Sequence, residues 1–512
     1  MKLLPLIFLI IFSPGRKRET FLPVNSVNTQ KCKNCQVVIF PIPYGMPKSE
    51  DYQIKVEGKD VFCYATYRLD QLNATTYYHG RQVSAASFAQ FDFNDTVNVQ
   101  ITPRNGLIKD FSKLVVRPIS LNIKPEWDGE KLKFTLDKPM DFTIDVQGDG
   151  MNPLHFFTNT PETDIPNPGD QNIVYFGPGI HEVDQIILQS NQTLYLAGGA
   201  VLRPVSPKVP NSDLIVLGEN FVRGGPLISI ENADNVVIKG RGIISAARAT
   251  EQQLKVQTIV ANNSGNLLVN DIILMDANDW NLHIYNSNNT TVDHIRVMGY
   301  YINADGICFN CSKNGVAKNC FVYADDDSYE VKATSAGMVC TNILFENCIV
   351  WNDYASCMGV THEVLGNINN VTWQNITITR FNPVVDNSWL LHRAAIFVHA
   401  QGGGDVSDLL FKDITIEKTD TKQSVILVDN IKLLVPGINT FPDKPYNPIE
   451  NIKFSNIVGY DILTPKIVVY DESGQGLINT ISFQNIVLNG GSIIPGDPRL
   501  EVTAAKNVQI IQ

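Results

Sequence analysis

One six-residue pattern returns along the second half of this chain: an aliphatic residue, any residue, an apolar or aromatic one, any residue, Asn or Asp, then an aliphatic. It stands as Leu267-Leu268-Val269-Asn270-Asp271-Ile272, Ile343-Leu344-Phe345-Glu346-Asn347-Cys348, Val371-Thr372-Trp373-Gln374-Asn375-Ile376, Leu409-Leu410-Phe411-Lys412-Asp413-Ile414, Ile452-Lys453-Phe454-Ser455-Asn456-Ile457 and Ile481-Ser482-Phe483-Gln484-Asn485-Ile486. Weaker copies begin at Val292 and Val316, so starts at 267, 292, 316, 343 and 371 are separated by 25, 24, 27 and 28 residues. Self-similarity at such a period marks a solenoid. Alternating apolar positions with β-branched and aromatic residues make each repeat a source of strands, since a helical repeat would space them by three and four. The recurrent Asn or Asp belongs beside a turn, where its side chain bonds backbone and forms a polar ladder with the next copy. The expected fold is all-β, with a parallel β-helix over 170–512.

The region 30–160 reads differently. Short alternating segments broken by Gly and Pro, such as Tyr52–Val56, Val97–Ile101, Leu114–Pro118 and Lys131–Leu136, predict an antiparallel β-sandwich. A Pro- and Asn-rich stretch, 159–171, separates the two. Ahead of both, Leu3–Phe12 is an apolar run behind Lys2, too short to span a bilayer and suited to a signal-peptide core within 1–20. Arg16-Lys17-Arg18 follows closely and is open to reading as a processing site. No later segment is long and apolar enough for a transmembrane helix, so the expectation is a secreted monomer without a membrane partner.

A formal net charge of -11 with a sequence pI near 5.3 argues against nucleic acid or an anionic polymer as partner, because both call for a basic field. Nine cysteines lie at 32, 35, 63, 308, 311, 320, 340, 348 and 357. They are either disulfides bracing neighbouring coils in an oxidising compartment or buried free thiols. Cys32-Lys33-Asn34-Cys35 resembles half a zinc site without a second half, so neither metal nor cofactor is expected. Sequons at Asn73, Asn94, Asn191, Asn262, Asn288, Asn289, Asn310, Asn370 and Asn375 suit a secreted glycoprotein, yet Asn-rich repeats also produce such triplets by chance.

The chemistry-bearing stretch is 303–332. Asn303-Ala304-Asp305-Gly306 precedes Asp325-Asp326-Asp327 and Lys332 by about one repeat, so stacked coils would bring the acids together in a solvent-open groove. Crowded like charges at about 4 Å and an effective dielectric near 20 repel by roughly 4 kcal/mol, and that repulsion keeps one carboxyl protonated near neutral pH. A protonated and an ionised carboxyl side by side are the equipment of glycoside hydrolysis. Strand parity puts Asp326, Ser328, Glu330 and Lys332 on one face, leaving Lys332 to offset charge or hold a sugar hydroxyl. Asp327 reaches the same groove only from a turn, and Asp325 takes its place if that turn shifts by one. Further candidates for sugar contacts are Trp280, Asn281, His283 and Tyr301 before the acids, and Trp351, Asn352, Asp353, Tyr354, His362 and Glu363 after them. Trp373, at the inward position of a repeat, reads as core.

With those residues in view, the chain from Val174 onward resembles the right-handed parallel β-helix glycoside hydrolases: family 28 polygalacturonases and, more closely, family 49 dextranases. Val174-Tyr175-Phe176-Gly177-Pro178-Gly179 and Leu194-Tyr195-Leu196-Ala197-Gly198-Gly199-Ala200 look like the entry to such a β-helix, and Asp305, Asp326-Asp327 and Lys332 match the family's acid pattern. The resemblance implies Asp326 as general acid and Asp305 with Asp327 as the base pair holding water, with inversion at the anomeric carbon. Two polygalacturonase features are missing. The Gly-His-Gly motif falls on Asp353-Tyr354-Ala355, and the uronate-gripping Arg-Ile-Lys on Ile396-Phe397-Val398, with Arg393 three positions earlier as the nearest cation. A carboxylated sugar would want those cations. The expectation is therefore an inverting endo-hydrolase of an α-linked neutral glucan such as dextran. The alternatives are a pectin hydrolase and a non-catalytic carbohydrate-binding β-helix whose acids cap turns or hold calcium.

Overall fold

The computed structural model describes residues 37–66, 86–205, 216–217, 221–223, 225–247, 254–299, 303–383, 393–432 and 445–511. The readings of the apolar leader, Cys32, Cys35, Asn73 and Tyr301 lie outside those residues. Two sheets of six and five strands, with strands between Val37 and Asn159, form the N-terminal sandwich. Its alternation is literal: Tyr52–Val56 and Leu132–Leu136 each bury every second residue. One pairing departs from the antiparallel expectation, since Leu154–Asn159 runs parallel to Ser87–Phe93. The chain passes through the second sheet between those two strands, which frees it to return in the same direction.

From Ile173 the chain winds into a right-handed parallel β-helix, with a 20-stranded and an 11-stranded sheet running along it. The repeat explains the winding. In each of the six strong copies the Asn or Asp (Asp271, Asn347, Asn375, Asp413, Asn456, Asn485) takes the left-handed conformation, with φ between 51 and 62°. Asn and Asp tolerate that conformation better than other side-chain-bearing residues, and it turns the strand sharply between two faces of the coil. Stacked copies then bond to each other: Asn375 Nδ2 donates to Asn347 Oδ1 at 2.6 Å, Asn456 to Asp413 at 2.7 Å and Asn485 to Asn456 at 3.2 Å. The inward apolar positions stack as well. Phe345, Trp373, Phe411, Phe454 and Phe483 form one column with ring centroids 4.5–5.6 Å apart and planes within 9°. Trp373 is core, as its repeat position requires.

That ladder bears on the sequons. Asn289, Asn370 and Asn375 donate their amides within it, and Asn310 is buried, whereas Asn94 is exposed in the turn between two sandwich strands. Seven cysteines (63, 308, 311, 320, 340, 348, 357) are free and buried. The disulfide reading therefore fails for these seven, and they pack as small apolar side chains. Among the described residues no helix is long and apolar enough to cross a membrane.

The sandwich lies against one face of the β-helix. Tyr64, Phe88 and Phe157 of the sandwich pack with Met298, Phe321, Tyr323 and Trp351 of the coils. Around this apolar seam run buried ion pairs: Arg241 to Asp92 at 3.0 Å, Arg296 to Asp141 at 2.8 Å and Arg117 to Glu417 at 3.0 Å.

Candidate active site

The 11-stranded sheet carries the acids. Strands Leu282–Tyr285, Ile307–Asn310, Tyr329–Ala333, Met358–Val364, Ala394–Gln401 and Ser424–Asp429 pair in parallel in that order. Their alternation sends Ile307, Phe309, Tyr329, Val331, Met358 and Val360 into the core. Residues between them, among them Cys308, Asn310, Glu330 and Lys332, form an outward row.

Asp305 and Asp327 precede successive strands in register, for Gly306 N–H donates to the Asp327 carbonyl at 2.8 Å and Asn281 N–H to that of Asp305 at 2.9 Å. Asp305, Asp327 and Glu330 each bring a carboxylate oxygen within 4.8 Å of the others. The turn is thus resolved in favour of Asp327, with Asp325 outside that grouping. Asp326 is fixed beside them: its oxygens accept from Asn303 N–H at 2.8 Å and Asp327 N–H at 2.9 Å. Asp327 Oδ1 accepts from Ser356 N–H at 3.1 Å and lies 3.4 Å from Arg393 Nη1. Lys332 Nζ reaches Glu330 at 3.2 Å, Glu363 at 3.0 Å and the Thr361 carbonyl at 3.1 Å, while Thr361 donates its hydroxyl to Glu330.

Burial drives the electrostatics. It raises the Asp305 carboxyl well above its ordinary range, and the charges of Glu330 and Asp326 raise it further. Burial, then Asp327, raises Asp326, with Arg393 and the Asn303 amide opposing. Glu330 is raised by burial and held back by Lys332. Burial alone would lower Lys332, but Glu330 and Glu363 outweigh it and hold the ammonium charged. The site thus contains proton-holding carboxyls next to Asp327, which accepts from a backbone amide and pairs with a guanidinium.

Two expectations need correction. The acids stand outside the coil's core, but the groove is not open over them: Asp305, Asp326 and Asp327 are 3%, 7% and 2% exposed. Packing of Arg393, Lys332 and the turn residues around the carboxylates encloses them. The wall reaches solvent on either side, at the partly exposed Trp280, His283 and Tyr285 and again at His362 and Glu363. Trp351, Asp353 and Tyr354 do not face this row. Trp351 and Tyr354 pack in the seam against the sandwich, and Asp353 accepts from Trp351 Nε1 at 2.8 Å and pairs with Arg380 at 3.3 Å. Their strand supplies the neighbouring face of the coil, a distinction that distance along the sequence does not carry.

The remaining candidates divide by role. Asn352 and Asn281 are fully buried brackets: Asn352 Nδ2 donates to the Asp326 carbonyl at 2.6 Å and Asn281 Nδ2 to that of Asp305 at 3.0 Å. They hold the turns that aim the acids. Asn303 does likewise through its N–H, and its Oδ1 accepts from Lys255 at 2.5 Å. Trp280 lies beneath the ammonium of Lys332, 5.3 Å from ring centroid to Nζ, with His283 edge-on at 4.4 Å. Lys332 itself is 4% exposed and engaged by carboxylates, so it balances charge and does not offer itself to a hydroxyl.

Glu330 is the residue that sequence reasoning passed over, although parity had already placed it beside Lys332. Asp305, Asp327 and Glu330 are also the one grouping among the described residues with the spacing to ligate a cation. Lys332 and Arg393 already supply positive charge there. Along the strand Ala394–Gln401, Ile396 and Val398 point into the core and Phe397 and His399 alternate outward. The outward positions still carry no Arg or Lys.

No protein-family description and no curated protein sequence matches this chain. Solved structures do. Dex49A from Penicillium minioluteum superposes with a TM-score of 0.61 at 14% identity, over 93% of this chain and 96% of that one. An exopolygalacturonase from Thermotoga maritima gives 0.45 at 14% identity over 63% and 84%, and a family 28 exopolygalacturonase from Yersinia enterocolitica 0.44 at 11% over 92% and 96%. The likeness to Dex49A extends over both the sandwich and the β-helix and establishes the shared fold.

Proposed function

We propose that this protein is an inverting glycoside hydrolase that cleaves an α-linked neutral glucan, dextran foremost, inside the chain. The observation that carries the reading is the convergence of Asp305, Asp326, Asp327 and Glu330 on the outward row of one sheet. Asp326, its proton affinity raised by burial and by Asp327, donates to the leaving glycosidic oxygen. Asp327, fixed by Ser356 N–H and Arg393, takes the proton of a water held between it and Asp305. Water attacks the anomeric carbon on the face opposite the leaving group, and the product emerges with inverted configuration.

The neutral-sugar half of the proposal rests on charge. Among the described residues both cations beside the acids are matched, Arg393 with Asp327 and Lys332 with Glu330 and Glu363. A uronate would compete with these carboxylates for its partners. The test is Asp326→Asn assayed on dextran. Hydrolysis falls at least about a hundredfold, the lower end of what general acids contribute, while the circular dichroism spectrum is retained. Turnover at the wild-type rate refutes the assignment.

A further inference from the structure

The sandwich carries a polar trough that the proposed chemistry leaves unused. Its six-stranded sheet packs on the coils through Tyr64, Phe88 and Phe157. The five-stranded sheet turns its outer face to solvent, for along Tyr52–Val56 and Leu132–Leu136 every second residue is exposed. An antiparallel sheet solvated on one side is ordinary. This one is concave: its outer face holds a cavity of about 390 Å³, within the roughly 300–1,000 Å³ of small-molecule sites.

Register builds the trough from cross-strand neighbours. Lys55 opposes Gln100, Gln100 opposes Lys133, and Glu126 opposes Lys133 from the far side. These four make one row across the sheet, with Lys55 and Lys133 two strand spacings, about 10 Å, apart. Two residues along the strands Asn98 opposes Thr135, and both line the same space, as does Lys124. Gln100 stands on the central strand, Val97–Pro103, so the row is not the lysine fringe by which edge strands avoid pairing. The apolar lining residues, Val99 and Phe134, are buried, which leaves a polar wall. Charge then selects the ligand. Lys55 pairs with Asp60 and Lys133 with Asp128, each at 2.8 Å, and Glu126 sets a third carboxylate against the three lysines. An anionic sugar finds no positive surplus there, and an apolar ligand finds no exposed apolar wall. A hydroxyl-rich chain finds ammonium, amide and hydroxyl donors, with Glu126, Gln100 and Asn98 as acceptors.

We propose that this trough on the sandwich, centred on Lys55, Gln100, Lys133 and Thr135, is a non-catalytic holding site for a neutral polysaccharide. The inference rests on the hydrolase reading above and deepens it, because it gives the sandwich a part in capturing the polymer. The polar groups of the trough are solvated in the free protein, so each hydrogen bond to a sugar replaces one to water and the site is weak by itself. A polymer held there has its other bonds concentrated near the acids, as in any two-point attachment. A chain too short to touch both places gains nothing.

The experiment has two readouts. In the first, the double variant Gln100→Ala/Thr135→Ala is compared with wild type on dextran and on a short isomalto-oligosaccharide. The ratio of kcat/KM on dextran to that on the oligosaccharide falls about threefold or more. In the second, the same two substitutions are added to Asp326→Asn, which leaves the polymer uncut, and retardation in native gels containing dextran weakens. If the double variant fails to fold by circular dichroism, Lys124→Ala and Lys133→Ala carry both comparisons. A ratio and a retardation equal to those of the parent proteins overturn the trough alone, since turnover of dextran by the wild type still supports the hydrolase. Retardation by polygalacturonate that is lost in the same variants overturns the neutral class of ligand. A wild type that cleaves no neutral glucan overturns the proposed function, and the gels then decide the trough by themselves.

Discussion

The molecule buries charge in two places, and it balances that charge differently. Along the seam between sandwich and β-helix, arginines meet carboxylates one for one or one for two: Arg296 with Asp141, Arg241 with Asp92 and Asp271, Arg117 with Asp145 and Glu417. The Arg296 contact is a fork, with Nε at 2.8 Å and Nη2 at 3.0 Å from the two oxygens of Asp141. On the outward row the balance tips. Among the described residues, Asp305, Asp326, Asp327 and Glu330 share only Lys332 and Arg393, and Lys332 is also engaged by Glu363. Paired charges hold two layers in one orientation. Surplus carboxylates in an enclosed place hold protons, which is what an acid catalyst requires.

The comparison is broken most forcefully at the seam. Arg296→Met leaves Asp141 buried without its guanidinium and destabilises the protein by about 3–5 kcal/mol, read as a lower midpoint in urea unfolding. A midpoint equal to wild type would show that the seam's pairing is incidental.

A smaller effect comes from pH. Asp271 is partly buried, which opposes its ionisation, yet its bond to His294 and the charge of Arg241 bring its carboxyl down to about 2. A folded-state value below the unfolded one near 4 stabilises the protein above that unfolded value, and the contribution is lost as pH falls through the folded one. About 2 kcal/mol should therefore disappear between about pH 4 and pH 2, and Asp271→Asn should flatten that part of the stability profile. An unchanged slope in the variant would assign the acid lability elsewhere.

The subtlest test returns to the outward row. Glu330→Gln removes an anion that helps to raise Asp305, so Asp305 ionises at lower pH and the acid limb of kcat/KM moves down. A limb that stays in place would separate Glu330 from the working cluster.

Much of this was legible in the sequence, because the repeat states its own geometry. The Asn or Asp of each copy marks a left-handed corner, and the inward column from Phe345 to Phe483 follows from the spacing alone. Stacking of Asp305 on Asp327 followed from the period. What the sequence withheld was the third dimension of each coil. Trp351 and Tyr354 lie one face away from the acids, covered by a sandwich whose docking no local pattern announces. The outward turn of Phe397 and His399, between inward Ile396 and Val398, became distinct only with the register of their strand. The enclosure of the acids depends on Arg393 and other residues brought in from neighbouring coils.

The most direct measurement is reducing-end release by the wild-type protein from dextran and from polygalacturonate, with the anomer of the first product followed by NMR. If the carboxylate surplus is a hydrolytic centre for a neutral glucan, dextran yields reducing ends of inverted configuration and polygalacturonate yields none. Release from polygalacturonate alone, or from neither polymer, would contradict it.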